Sequence, residues 1–378
     1  MKKTVFNGID NINEYISLFE NRRVGLITNP TGVNRQLVST ADILFNMGVL
    51  RCMFSPEHGV RGNVQAGKHI DTYTDEKTSL PVYSLYGSAP HISKEVLDGL
   101  DIVAFDIQDI GARYYTYMYT LSYAMEDCAA SGKTMVVFDR INPVGGYGDG
   151  NILSTEFSSF VGRYALPARH GFTMGEYARY INETEGINCK LKVIPVKGWE
   201  RSMLFSDTDL LWIPPSPNIP TPDTALCYSG TCLFEGTNLS EGRGTTRPFE
   251  FIGAPWLDGE KTAREFNSLG LAGIKLRGCY FTPVFSKYAG EVCGGVFFHI
   301  TDKTAFRPFE SALTLLDIIR KNNAQFEFAP LYNGRSFIDL LFGSDIIRLP
   351  DFSAQSYLKE CDQKLKEHEK NAIPYYMY

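Results

Sequence analysis

Short, continuously apolar runs alternate with amphipathic ones from residue 23 to residue 196. The first, 23–29, closes on the turn signal Asn29-Pro30-Thr31-Gly32 and reads as a strand. Residues 39–48 start on a Ser/Thr cap and carry helical spacing. A strand at 49–55 comes next, then a glycine-rich loop to about residue 80, a strand at 81–86 and a short helix near 93–99. A strand at 102–106, a helix at 116–130, a strand at 135–140, a capped helix at 173–184 and a strand at 191–196 complete the series. The strands are solidly apolar rather than alternating, which predicts burial on both faces, as in a parallel sheet. The pattern therefore predicts a Rossmann-like α/β layer, although the dinucleotide-binding glycine fingerprint is missing.

Residues 212–222, WIPPSPNIPTP, place five prolines in eleven positions. That density rules out helix and predicts a rigid linker or a binding wall. Beyond residue 235 the pattern changes to a helix at 259–269, strands near 273–285 and 294–301, and helices at 307–322 and 353–370. This predicts two domains, a Rossmann-like one over 1–234 and a smaller α+β one over 235–378. The length of 378 residues fits that division, since single cores stop growing at about 250–300 residues. A net charge of −6 argues against a nucleic-acid or anionic-membrane partner. No apolar run comes after Lys2-Lys3 and none is long enough to span a bilayer, so the expectation is a cytoplasmic protein, with secretion as the alternative. The eight cysteines form no CxxC pair and are expected to be reduced and structural.

Polar residues gather where the strands end, which is where open α/β sheets bind their ligands. After 49–55 comes FSPEHGVRG, with Glu57, His58 and Arg61; Pro56 stops the strand, and a carboxyl held there is a candidate general acid or base. After 102–106 comes DIQDIGARYYTY, which crowds Asp106, Gln108, Asp109 and Arg113 ahead of Tyr114, Tyr115 and Tyr117. DRINPVGG succeeds the next strand with Asp139, Arg140 and Asn142, and glycines at 145, 146, 148 and 150 predict a flexible lip. ARHGFTMGE sets His170 before a capping box from Thr173 to Glu176. In the second half, EGTNLSEGRGTTRPFE carries Glu235, Asn238, Glu241, Arg243 and Arg247 on a glycine-rich loop tied down by apolar flanks, a pattern suited to clamping a carboxylate. Ser131-Gly132-Lys133-Thr134 imitates the end of a P-loop, but Asp127 stands where its first glycine belongs. No HExxH or GxSxG spacing occurs, so neither a metal nor a serine nucleophile is called for.

In these runs, together with TNPTG and PPSPNIPT, the chain resembles the exo-acting β-N-acetylmuramidase family of bacteria along nearly its whole length. Ile141 departs from that family's usual proline in the DRPNP turn. The resemblance implies release of terminal N-acetylmuramic acid from the non-reducing end of peptidoglycan fragments, in cell-wall recycling, without a cofactor. It also implies an active site in the cleft between the two domains, with the Glu of the PEHG motif, Glu57, as the catalytic acid/base. Its suspected partner is a tyrosine of ARYYTY, Tyr114, Tyr115 or Tyr117.

The chemistry of the residues fits. Glycoside cleavage needs one protonated carboxyl and a second group facing the anomeric carbon. Asp106, Asp109, Glu235 and Glu241 are candidates for the second, as is the substrate's own acetamido oxygen. The site is expected to use Glu57, Tyr115, Tyr117 and Asp109 in catalysis. Substrate contacts are expected from His58, Gln108, Tyr114, Asp106, Asp139, Asn142, His170, Glu235, Asn238 and Glu241. The lactyl carboxylate of N-acetylmuramic acid calls for an arginine: Arg61, Arg113 or Arg243. Two other readings remain, a metal-dependent hydrolase built on Asp106, Asp109 and His170, and a saccharide-binding protein without turnover.

Overall fold

A computed structural model describes residues 2–56, 59–61, 72–85, 90–332 and 334–378. In chain order the first domain contributes β1 (Val24–Thr28), α1 (Thr40–Asn46), β2 (Leu50–Ser55), β3 (Tyr73–Thr74), β4 (Pro81–Ser84) and α2 (Lys94–Asp98). It continues with β5 (Ile102–Asp106), α3 (Tyr117–Ala130), β6 (Thr134–Phe138), β7 (Asp149–Ile152), β8 (Pro167–Arg169), α4 (Met174–Thr184) and β9 (Lys190–Ile194). Among the described residues, seven strands form one sheet in the order β3-β4-β2-β1-β5-β6-β9. All pairs are parallel except the β3–β4 edge. The six parallel strands thus adopt the doubly wound order 3-2-1-4-5-6, whose switch point lies between β1 and β5. β1 and β5 are buried along their whole length, because separate apolar layers cover the two faces of the sheet.

The expected helix starts are present with their caps. Ser39 Oγ accepts the Asp42 N–H at α1, and Thr173 and Glu176 close the capping box of α4. The proline-rich segment ends by starting a helix, α5 (Pro222–Thr231), which the sequence pattern does not predict. Thr221 caps it and Pro222 sits in its first turn, where a missing N–H costs nothing.

The second domain holds β10 (Phe251–Ala254), α6 (Gly259–Ser268), β11 (Ile274–Phe281), β12 (Cys293–Ile300), α7 (Pro308–Asn322), α8 (Phe337–Phe342) and α9 (Ala354–Ala372). β10, β12 and β11 form a separate antiparallel sheet. Among the described residues no helix is long and apolar enough to cross a membrane.

Arg113 ties the two halves together. It is fully buried, and its guanidinium donates to the carbonyls of Asn151 and Leu166 from one side and of Leu341 and Phe342 from the other. This overturns its expected role as a substrate contact, since its two terminal nitrogens are committed to backbone acceptors. The glycine lip is corrected as well: Gly145, Gly146, Gly148 and Gly150 are all buried. Gly146 shows why a side chain is excluded, because a Cβ there would lie 2.7 Å from the Arg201 Cβ.

Candidate active site

At the switch point the chain fills its own crevice. Thr28 Oγ1 donates to the Asp106 carbonyl (2.9 Å), Asn29 Oδ1 accepts the Thr31 N–H (2.9 Å), and the Gln108 N–H donates to Thr31 Oγ1 (2.9 Å). A cleft of about 60 Å³ remains beside Gln108, Arg140 and Arg35. Both arginines are already paired, Arg140 with Asp106 (2.6 Å) and Arg35 with Asp209 (2.7 Å). Asp106 is completely buried by that pair and by a short hydrogen bond from Thr40, so its expected contact with substrate gives way to a structural role.

Two of the polar runs and the proline-rich segment meet instead at a second pocket, of about 110 Å³. Tyr114, Tyr115 and Tyr117 line it from the segment after β5, Ser216 and Asn218 from the proline-rich wall, and Arg243 and Phe249 from the glycine-rich loop of the second domain. Tyr228 of α5 joins them and completes an edge-to-face lattice. Its ring lies 4.6 Å from Phe249, 5.9 Å from Tyr115 and 6.3 Å from Tyr114, and Tyr115 lies 5.0 Å from Tyr117. The Tyr117 hydroxyl donates to the Pro215 carbonyl (2.8 Å), which ties the tyrosine segment to the proline wall. Tyr114 Oη is buried without a hydrogen-bond partner among the described residues. Burial pushes the Tyr114 and Tyr115 phenols well above their ordinary range, so they stay protonated.

Arg243 is the charged centre of this pocket. Its Nη2 pairs with Glu235 (2.7 Å) and its Nε with Glu241 (3.3 Å), and its guanidinium lies 4.9 Å from the Phe249 ring centre. Lys287 closes the network: its Nζ lies 3.0 Å from Glu241 and donates to the Phe234 and Leu239 carbonyls, each at 2.9 Å. Burial raises the Glu235 carboxyl above its usual range, with Arg243 pulling the other way.

A buried carboxylate–imidazole pair stands on the same post-β5 segment. Asp109 Oδ2 accepts the Gly111 N–H (2.6 Å) and faces His170 Nε2 (3.3 Å), while Oδ1 has no partner among the described residues. His170 Nδ1 accepts the Phe172 N–H (3.2 Å), so the ring proton sits on Nε2 and points at Asp109. His170 is therefore buried against Asp109 and is not placed as the substrate contact expected of it. Among the described residues no group of three or more His, Cys, Asp or Glu is placed to hold a metal ion.

The remaining expected contacts are structural. Arg61 pairs with Asp75 (3.0 Å) and Asp42 (3.2 Å) and holds the Asp75 carboxyl down to about 2. Asp139 is buried under the Gly175 N–H and the hydroxyls of Thr173 and Tyr378. Asn142 donates to the Phe172 carbonyl, and Asn238 to that of Gln325. Glu57 and His58 lie outside the described residues; the strand leading to them ends at Ser55. Ser216, Tyr228, Phe249 and Lys287 join the site without being candidates on sequence grounds. Ser216, with Asn218 beside it, carried a signal, the proline-rich wall.

Behind His170, the His368 ring of α9 is buried against Phe172 (6.1 Å) and Tyr180 (5.7 Å), and its Nε2 has no partner among the described residues. Burial, with His170 nearby, depresses it to about 4. The unfolded chain, with an ordinary histidine near 6.5, binds the proton more readily, so this site's stability is full above pH ~6.5 and lost as pH falls toward 4. We expect His368→Phe to lessen the fall in melting temperature between neutral pH and pH ~4.5, a difference of at most about 3 kcal/mol. Melting curves that drop equally in both proteins would contradict this.

Comparison with known proteins gives matches over both domains. Residues 24–223 match the family model for the N-terminal part of the exo-β-N-acetylmuramidase NamZ, and residues 226–378 match the model for its C-terminal part. The peptidoglycan β-N-acetylmuramidase NamZ of Bacillus subtilis (strain 168) is 43% identical over the whole of this chain and 92% of its own length. Two crystal structures of DUF1343 family proteins from Bacteroides fragilis superpose with TM-scores of 0.90 and 0.79, at 34% and 29% identity, each covering 99% of both chains.

Proposed function

The chain belongs to the exo-β-N-acetylmuramidase NamZ family, and on that premise we propose that it removes terminal N-acetylmuramic acid from the non-reducing end of peptidoglycan fragments. The observation that carries this reading is the full-length match, which spans both domains at 43% identity to a muramidase. The tyrosine and arginine pocket supports it, because a sugar ring needs apolar walls with a few fixed polar groups.

Glu57 is the acid/base in this proposal. In the sequence it directly follows Pro56, in the motif that the family resemblance marks for this role. Protonated, it hands its proton to the leaving oxygen as the glycosidic bond breaks. Tyr114 and Tyr115 act as neutral donors along the pocket wall. Of the three arginines considered for the lactyl carboxylate, Arg243 alone lines this pocket. Its Nη1 has no partner among the described residues and is the nitrogen assigned to that anion.

A pair of chromogenic glycosides tests the reading. The β-N-acetylmuramide should be hydrolysed and the β-N-acetylglucosaminide, which lacks the lactyl group, should not. Turnover of neither, or of both alike, would overturn it.

A further inference from the structure

Among the described residues, the sheet of β10, β12 and β11 keeps one face partly open. α6 packs against β11 and β12, and Ile274, Leu276, Val296 and Phe298 are buried on that side. Alternation along the strands sends their neighbours to the other face. There Arg277 stands opposite Phe297 and Lys275 opposite His299, with Phe251 opposite Phe297 on the far strand. Lys275 and Arg277 are exposed, and Phe251, Phe297 and His299 are half-exposed.

The groups on this face are organised around one ring. Arg247 and Arg277 lie 5.9 and 5.8 Å from the Phe297 ring centre, and Phe251 packs edge-on to it at 4.8 Å. Among the described residues the one carboxylate paired with Arg247, that of Glu250, is buried and also accepts the Thr224 hydroxyl. A chain of net charge −6 thus exposes a cationic, aromatic strip on one sheet. One chain segment joins the strip to the pocket: Arg243 and Phe249 line the pocket, while Arg247 of the same loop and Phe251, which opens β10, stand on the open face.

We propose that this face is an outer subsite that holds the peptide-free glycan strand beyond the pocket, with Phe297 and Phe251 against sugar rings and Arg247 and Arg277 on the lactyl carboxylates of further muramic acid residues. The charge matches, since each such residue contributes an anion, and guanidinium forks suit carboxylates. The proposal rests on the muramidase reading for its ligand, but its surface is separable by experiment.

Binding of peptide-free glycan strands is measured for the wild type, Arg277→Gln, Arg277→Lys and Phe297→Ala, with uncharged chitin oligosaccharides of equal length as control. Arg277→Gln should weaken strand binding about fivefold, the scale of one exposed ion pair, and Arg277→Lys should restore part of it. High salt should erode the wild-type advantage. Phe297→Ala should weaken strand and chitin alike, and all variants should still hydrolyse the small chromogenic muramide, which is too short to leave the pocket. Equal strand binding by wild type and Arg277→Gln, or wild-type binding of chitin as tight as of the strand, would overturn the subsite. If the wild type hydrolyses no muramide, the muramidase reading fails, and the binding comparison still decides whether the face is an anionic-glycan surface.

Discussion

Glu57→Gln should lower kcat on a muramic acid glycoside by about a thousandfold, within the range usual for loss of a general acid or base. Glutamine keeps the shape and hydrogen-bonding reach of the side chain but has no proton to give the leaving oxygen. The thermal melt should therefore match the wild type. In the residual activity, the limb of the kcat/KM pH profile that reports the acid should disappear. Near-normal turnover with an unchanged profile would remove Glu57 from the mechanism and turn attention to Asp109, Glu235 and Glu241 as the remaining carboxyls.

Arg243→Gln should lower kcat/KM for the muramide by about a hundredfold, the scale of losing a desolvated charge pair to an anion. The effect should depend on the lactyl group. Inhibition by N-acetylmuramic acid should weaken strongly, whereas inhibition by N-acetylglucosamine, which has no carboxylate to lose, should change little. Glu235 and Glu241 also lose a partner in this variant, so the comparison between the two sugars, not the absolute rate, carries the conclusion. Equal weakening of both inhibitors would make Arg243 a structural brace for the two glutamates.

The parallel core was legible in the sequence because its strands are buried on both faces, so that runs such as 102–105 carry no polar interruption. The capping box at Thr173 was equally plain, being a purely local device. Tertiary context overrode the local pattern elsewhere. Arg113 looked like a free cation within a polar run, and nothing in its neighbours announces the carbonyls of Leu341 and Phe342, more than two hundred residues away, that accept from it. Pro222 read as the end of an extended segment, because proline's fixed φ and missing N–H suit the first turn of a helix as well as a linker. The glycines at 145–150 suggested flexibility, but they serve close packing, as Gly146 against Arg201 shows.

The candidate site divides in the same way. Tyr114, Tyr115, Tyr117 and Arg243 stood out because polar and aromatic groups crowd at strand ends and on a glycine-rich loop. Tyr228 and Phe249 did not, since an aromatic residue within an apolar stretch is ordinary core until a pocket opens beside it. Lys287 reaches the site from the β11–β12 connection, a placement that only the folded chain reveals.

The central claim, exo-release of muramic acid, is tested most directly on a peptide-free glycan strand that begins with N-acetylmuramic acid and is labelled at its reducing end. Mass spectrometry of the products should show one N-acetylmuramic acid lost from the non-reducing end, with the shortened strand then persisting because its new terminus is N-acetylglucosamine. Internal fragments, or N-acetylglucosamine as the first sugar released, would contradict the account.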